Sequence, residues 1–166
     1  GQSFEPIFDN EATLTIGDMA VNWEKNIIWI GTGEVNSSLS SYAGTGIYVS
    51  KDSGKTWQHK GLEESHHIGK IILNPKNENI AWVAVLGHLY TKNNERGIFK
   101  TTNGGDTWNQ TLFVNDSTGC VDLMIDPNNE KVLYTTSWMR TRTAWNFVGN
   151  GEGTAIYKSE DGGTYW

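Results

Sequence analysis

The sequence predicts an all-β chain built from repeated four-stranded antiparallel units, and three observations carry that expectation. An octapeptide of the form S/T-x-D/N-x-G-x-T-W occurs at Ser50–Trp57 and Thr101–Trp108, and a variant of it occurs at Ser159–Trp166. Short apolar runs alternate with Gly, Asn and Asp turns, and no stretch holds apolar residues at a sustained helical spacing. The third observation is composition: 19 Gly and 8 Trp but only 3 Pro, in 166 residues, the balance of a turn-rich β protein rather than a helical one.

The octapeptide, called the box below, sets the period. Gly1-Gln2-Ser3-Phe4 reads as the second half of another box, so the aromatic ends fall at 4, 57, 108 and 166. A self-similar spacing of about 50 residues marks a repeat architecture before any single residue is interpreted. The expected repeats are 5–57, 58–108 and 109–166 of a single segment. With a box at either end, the sequence reads as an excerpt of three periods from a longer chain, or as a chain that completes itself by association.

Within each period the strands can be placed in order. Strand A is expected at Ile16–Asn22, Gly69–Pro75 and Cys120–Pro127, ending in Asn- and Pro-bearing turns. Strand B follows at Ile27–Ile30, Ile80–Leu86 and Val132–Trp138, and strand C at Gly46–Ser50, Gly97–Thr101 and Ala155–Ser159. Each strand C runs into a box. There Asp52, Asn103 or Asp161 can fold its side chain onto following amides, and Gly54, Gly105 or Gly163 can take a positive φ. Ser50, Thr101 and Ser159 open the boxes, and Thr56-Trp57 and Thr107-Trp108 lead into strand D. The third box closes on Trp166, but Tyr165 replaces the usual Thr, so that turn is expected to be held less well by its own side chains. A buried Trp removes about 150 to 250 Å² from water, enough to pin the hairpin to its sheet. Four short antiparallel strands per period form the pattern of a propeller blade.

The boxes resemble the Asp-box, or bacterial neuraminidase repeat, of sialidases, xyloglucanases and sortilin-type receptors. Trp29–Glu34, Ser65–Gly69, Glu95-Arg96-Gly97 and Ile125–Asn128 resemble bacterial sortilin-like and glycosyl-hydrolase-like propeller proteins. The resemblance covers nearly the whole chain and implies an extracellular, secreted setting and a ring of seven or more blades. Three blades are an incomplete ring, so the implied partners are the remaining blades of a longer chain or a second copy of this one.

Propeller geometry puts the B-to-C loops (31–45, 87–96 and 139–154) and the D-to-A loops (60–68 and 114–119) on one face, opposite the boxes. Long loops on a rigid scaffold are where function concentrates. Tyr42, His66, Arg96, Arg140, Arg142 and Trp145 are the candidate ligand-binding residues there. Arginines grip carboxylates bidentately, and Tyr or Trp rings stack on sugar or peptide surfaces. In sialidases an arginine triad holds the substrate carboxylate, although Arg140 and Arg142 could equally pair with Glu95 or Glu152. Glu34 and Glu95, in equivalent loops of adjacent repeats, are the candidate catalytic carboxylates. Glycoside hydrolysis requires two such groups about 5 to 9 Å apart. The plainer role for Glu34 is to order its Gly-rich loop by accepting backbone amides.

The readings are therefore a segment that binds an extended carbohydrate or peptide on its loop face, a glycoside hydrolase, or a scaffold for other domains. No cofactor and no metal is expected. Adjacent residues on a strand point to opposite sides, so His66 and His67 do not form a metal pair, and no HExxH or Cys/His spacing occurs. A net charge of −6 with dispersed Lys and Arg argues against a nucleic-acid footprint. No stretch reads as a membrane span, and the lone Cys120 reads as a core thiol.

Overall fold

The computed structural model describes residues 1–166. Strands β1 (Ile16–Asn22), β2 (Ile27–Thr32), β3 (Ile47–Ser50) and β4 (Gln58–His59) form an antiparallel sheet in chain order. The second sheet repeats this with β5 (Ile68–Leu73), β6 (Ala81–Val85), β7 (Gly97–Thr101) and β8 (Asn109–Leu112). The third sheet has three strands, with β10 (Asn129–Met139) in the centre between β9 (Thr118–Asp126) and β13 (Ala155–Ser159). A single 3-10 turn at Glu63–Ser65 is the only helical element, and no helix is long and apolar enough to cross a membrane. The 139–154 stretch, expected as a loop, contains a small hairpin of β11 (Thr141–Arg142) and β12 (Phe147–Val148). Thr143 N donates to Asn146 O at 2.9 Å to close its turn, and the Arg142 guanidinium lies 4.6 Å from the Phe147 ring centre. Neither the turn nor the stack has a period-2 signature in sequence.

The sheets stack face to face. Alternate residues of β6 serve different neighbours: Ala81, Val83 and Val85 join the core with the first sheet, including Trp29, Val49 and Ile71. Trp82 and Ala84 face the third sheet, meeting Leu123 and Leu133. Both faces are covered, which is why β6 is a continuous apolar run rather than an alternating one.

The first strand of every sheet carries a bulge, at residues 17, 69 and 121. An extra residue there bends the strand and re-aims its neighbours. A Cβ on Gly17 would sit 2.1 Å from Ile68 O, and one on Gly69 would sit 2.3 Å from Val121 O. Glycine at these two bulges therefore sets how closely β1, β5 and β9 approach. Asp18, next to the first bulge, accepts from Ile71 N at 2.7 Å and Lys70 Nζ at 3.1 Å, tying the first sheet to the second.

The three box turns are closed by the same bonds. The opening hydroxyl accepts from the glycine amide: Gly54 N to Ser50 Oγ at 2.8 Å, Gly105 N to Thr101 Oγ1 at 2.9 Å, and Gly163 N to Ser159 Oγ at 2.9 Å. The Asp or Asn accepts from the amide four residues on, at 2.9, 3.0 and 3.0 Å for Thr56, Thr107 and Tyr165. The Thr56 backbone amide is the largest cause holding the Asp52 carboxyl down at about 2. Tyr165 lacks the hydroxyl bond that Thr56 and Thr107 make, and Thr164 supplies instead a second amide to Asp161 at 2.9 Å.

Each box tryptophan then reaches into the preceding unit. Trp108 Nε1 donates to Lys60 O at 2.7 Å, Trp166 Nε1 to Thr111 Oγ1 at 3.2 Å, and Trp57 Nε1 to Ile7 O at 2.5 Å. Lys60 and Thr111 each stand three residues past a box tryptophan, and Ile7 stands three past Phe4. The segment around Ile7 thus occupies, against the first box, the place that the outer strands hold against the next two.

On the far face of the third sheet the series is open. Trp82 donates its Nε1 to Gly162 O at 3.0 Å, and Lys100, 5.7 Å from that indole, donates to the same oxygen at 2.7 Å. Their counterparts in β10 and β13 by strand pairing are Tyr134 and Lys158, with the ammonium 5.9 Å from the ring. There Tyr134, Met124 and Ile156 are exposed, and Lys158 pairs only with Glu160.

Candidate functional site

The three long loops are bound to one another rather than lying side by side. Their hub is Ser37, a buried residue at φ +56° in the first loop. Arg140 Nη1 donates to Ser37 Oγ, and Arg142 Nε donates to Ser37 O at 2.8 Å. Arg140 Nη2 also reaches Gly87 O at 3.2 Å, and Arg142 N reaches Leu89 O at 3.1 Å, joining the third loop to the second. Tyr90 completes the circuit, its hydroxyl donating to Leu39 O at 2.7 Å.

The expected ligand-binding residues divide by this arrangement. Arg96 and Arg140 are 1% and 0% exposed, so neither is an open anion grip. Arg96 gives its guanidinium to Leu86 O, His88 O and Thr91 O at 2.8, 2.6 and 2.9 Å, shaping the second loop from inside. No carboxylate lies within ion-pair distance of either arginine or of Arg142. The pairing with Glu95 or Glu152 that the sequence allowed is therefore absent. Burial lowers Arg140 to about 9 with Arg96 adding to the effect, and burial lowers Arg96 to about 10. Both remain cationic at neutral pH, held by oxygen dipoles. Tyr42 and Trp145 are exposed, whereas Arg142 is half-buried over Phe147.

Glu34 accepts from Tyr42 N at 3.3 Å through Oε2, and Glu34 N donates to Tyr42 O at 3.1 Å, so this residue closes its own loop. Glu95 is half-buried and its carboxyl is raised, first by burial and then by the charge of Glu63, while the Glu64 backbone amide opposes the rise and the Glu64 charge adds the smallest part to it. The acidic neighbours of Glu95 are thus in the 61–67 loop, and Glu34 is not among the groups that perturb it.

His67 is buried beneath the loops and held neutral, its pKa lowered to about 3 by burial first and by the Arg140 charge second. His66, at φ +52°, turns the other way and stacks on His88 with ring centres 3.6 Å apart. Sequence reasoning missed His88 as a partner of His66, and it missed Glu63, Glu64 and Ser37. The signal for the first three was available, since neighbouring D-to-A and B-to-C loops were expected on one face. Ser37 carried none. Cys120 is buried, its thiol pushed up to about 12 by burial, an inert core position.

No protein-family model matches the chain, and no curated protein is similar to it in sequence. Among solved structures it resembles an ancestral GH74 enzyme, with a TM-score of 0.64 and 18% identity over 92% of this chain and 18% of that one. It also resembles the GH74 xyloglucanase from Xanthomonas campestris, with a TM-score of 0.61 and 16% identity over 92% of this chain and 21% of that one. The chain therefore spans about a fifth of the length of these enzymes and shares their fold over that part.

Proposed function

We propose that the chain is a three-repeat segment of an Asp-box β-propeller that works outside the cell and binds an extended carbohydrate on its loop face. The observation that carries this reading is the loop platform itself: three loops cross-tied through Ser37, presenting Tyr42, Tyr90 and Trp145 to solvent. Aromatic faces are broad, stiff contact surfaces. A platform already fixed by buried arginines loses little entropy on binding. The fold shared with GH74 enzymes supports carbohydrate over peptide as the ligand class. The exposed Met124, Tyr134 and Ile156, standing where Trp82 and its neighbours are covered, support a further four-stranded unit packing on the third sheet.

Glycoside hydrolysis is the second reading, favoured by Glu95. A carboxyl raised by burial and by Glu63 has the tuning of a general acid. Glu34 is the candidate second carboxylate. The experiment is turnover of xyloglucan oligosaccharides by the chain and by its Glu95→Gln and Glu34→Gln variants. An enzyme loses turnover in the glutamine variants while retaining affinity. Binding without any turnover by the unaltered chain refutes hydrolysis and leaves the binding module.

A further inference from the structure

Glu64, His66 and His88 come together at the edge of the loop platform, from the 61–67 and 87–96 loops of adjacent units. One ligand atom from each lies within 4.8 Å of the other two. His88 is the best oriented. Its Nδ1 lies 2.7 Å from Thr91 Oγ1, which fixes the ring and leaves Nε2 to point elsewhere. That Nε2 stands 3.2 Å from Glu64 Oε2, yet it is a buried atom that makes no hydrogen bond. A separation near 3.3 Å is about the edge of a tetrahedron whose metal–ligand bonds are about 2.0 to 2.1 Å. Thr91 holding the far nitrogen is the outer support that metal-bound imidazoles generally have.

Two further features point the same way. His66 stacks on His88 with ring centres 3.6 Å apart, so the two loops bring one imidazole each to the same spot. Glu63, Glu64 and Glu95 crowd their carboxylates here, while the nearby Arg96 is spent on backbone carbonyls. A divalent cation would relieve that excess negative charge. His66 is half-buried at the rim, so its ring can turn out of the stack towards a shared ion without disturbing the core.

We propose that Glu64, His66 and His88 form a site for a divalent transition-metal ion of the zinc type, with its remaining coordination positions open to solvent. Two imidazole nitrogens and one carboxylate oxygen select such an ion over magnesium or calcium, which prefer oxygen-only sets. The site borders the loop carrying Tyr90, so a bound ion would stand beside the platform as a second anchor for a ligand oxygen. It stands on its own residues and does not depend on the carbohydrate reading.

The test is titration of the EDTA-stripped, desalted chain with Zn²⁺, and with Co²⁺ followed by visible absorption. The expected result is one ion per chain. His66→Ala and His88→Gln should each weaken affinity at least tenfold, the latter keeping most of the side-chain volume. Thr91→Val, which leaves all three ligands in place, should weaken it about tenfold. His59→Ala should change nothing, because His59 turns to Thr45 O and Glu63. Far-UV circular dichroism establishes that each variant is folded. Absence of a stoichiometric ion in the folded chain overturns the assignment. So does affinity unchanged in a folded His66→Ala/His88→Gln double variant.

Discussion

Lowering the pH from 7 to 5 should destabilise the chain through His67. Its imidazole is buried under the loops beside Arg140, with a folded pKa of about 3 against 6.5 for the free side chain. This is a base whose folded pKa is depressed, so between those values the unfolded chain binds more protons than the folded one. Stability is therefore lost as pH falls through the unfolded value, and the loss continues down to the folded one. One pH unit in that window corresponds to about 1.4 kcal/mol, and the part between pH 7 and pH 5 comes to about 2 kcal/mol. His66, also depressed, acts in the same direction. Glu95 acts oppositely, because a carboxyl raised in the folded state favours folding as it protonates. The informative quantity is accordingly the difference between the unaltered chain and His67→Gln. Urea unfolding followed by tryptophan fluorescence, in EDTA at both pH values, measures it. His67→Gln should show a pH-dependent loss smaller by about 2 kcal/mol. Parallel pH dependence in the two proteins would refute the buried, neutral assignment of His67.

Three other perturbations follow from the packing. Trp108→Phe leaves Lys60 O without its indole donor and removes part of the edge contact with Trp29, so urea unfolding should show a loss of about 1 to 3 kcal/mol. The exposed Trp23→Phe should be neutral. Gly69→Ala places a methyl 2.3 Å from Val121 O, where backbone rather than a flexible side chain must move, and should cost about 1 to 3 kcal/mol or more by the same measurement. Arg140→Lys removes the planar fork that serves Ser37 and Gly87 together. Hydrogen exchange of the Glu34 and Tyr42 amides should quicken in that variant, while the box glycines 54 and 105 exchange as before.

The repeat was the most legible part of the chain because each box is a local device. Ser50, Asp52 and Gly54 close their turn with partners no more than four residues away, so the pattern is written in contiguous sequence. Strand β6 was legible for a different reason: burial on both faces leaves an unbroken apolar run. The candidate site was legible only as a list of loop residues. That Arg140 serves Ser37, 103 positions away, depends on how the sheets stack. The same stacking decides that Arg96 and Arg140 turn inward whereas Trp145 turns out. The β11–β12 hairpin was missed because a two-residue strand has no period to read. The Tyr165 substitution was read as a weaker turn, and the structure shows Thr164 compensating with a bond of its own.

The most direct measurement is calorimetric titration of xyloglucan and other β-glucan oligosaccharides into the chain, with Tyr42→Ala and Trp145→Ala variants alongside. The account expects saturable binding that weakens in both variants, since Tyr42 and Trp145 stand on the platform and outside the core. Absence of binding to any extended glycan, or binding that both variants retain undiminished, would contradict the assignment of the loop face as the ligand site.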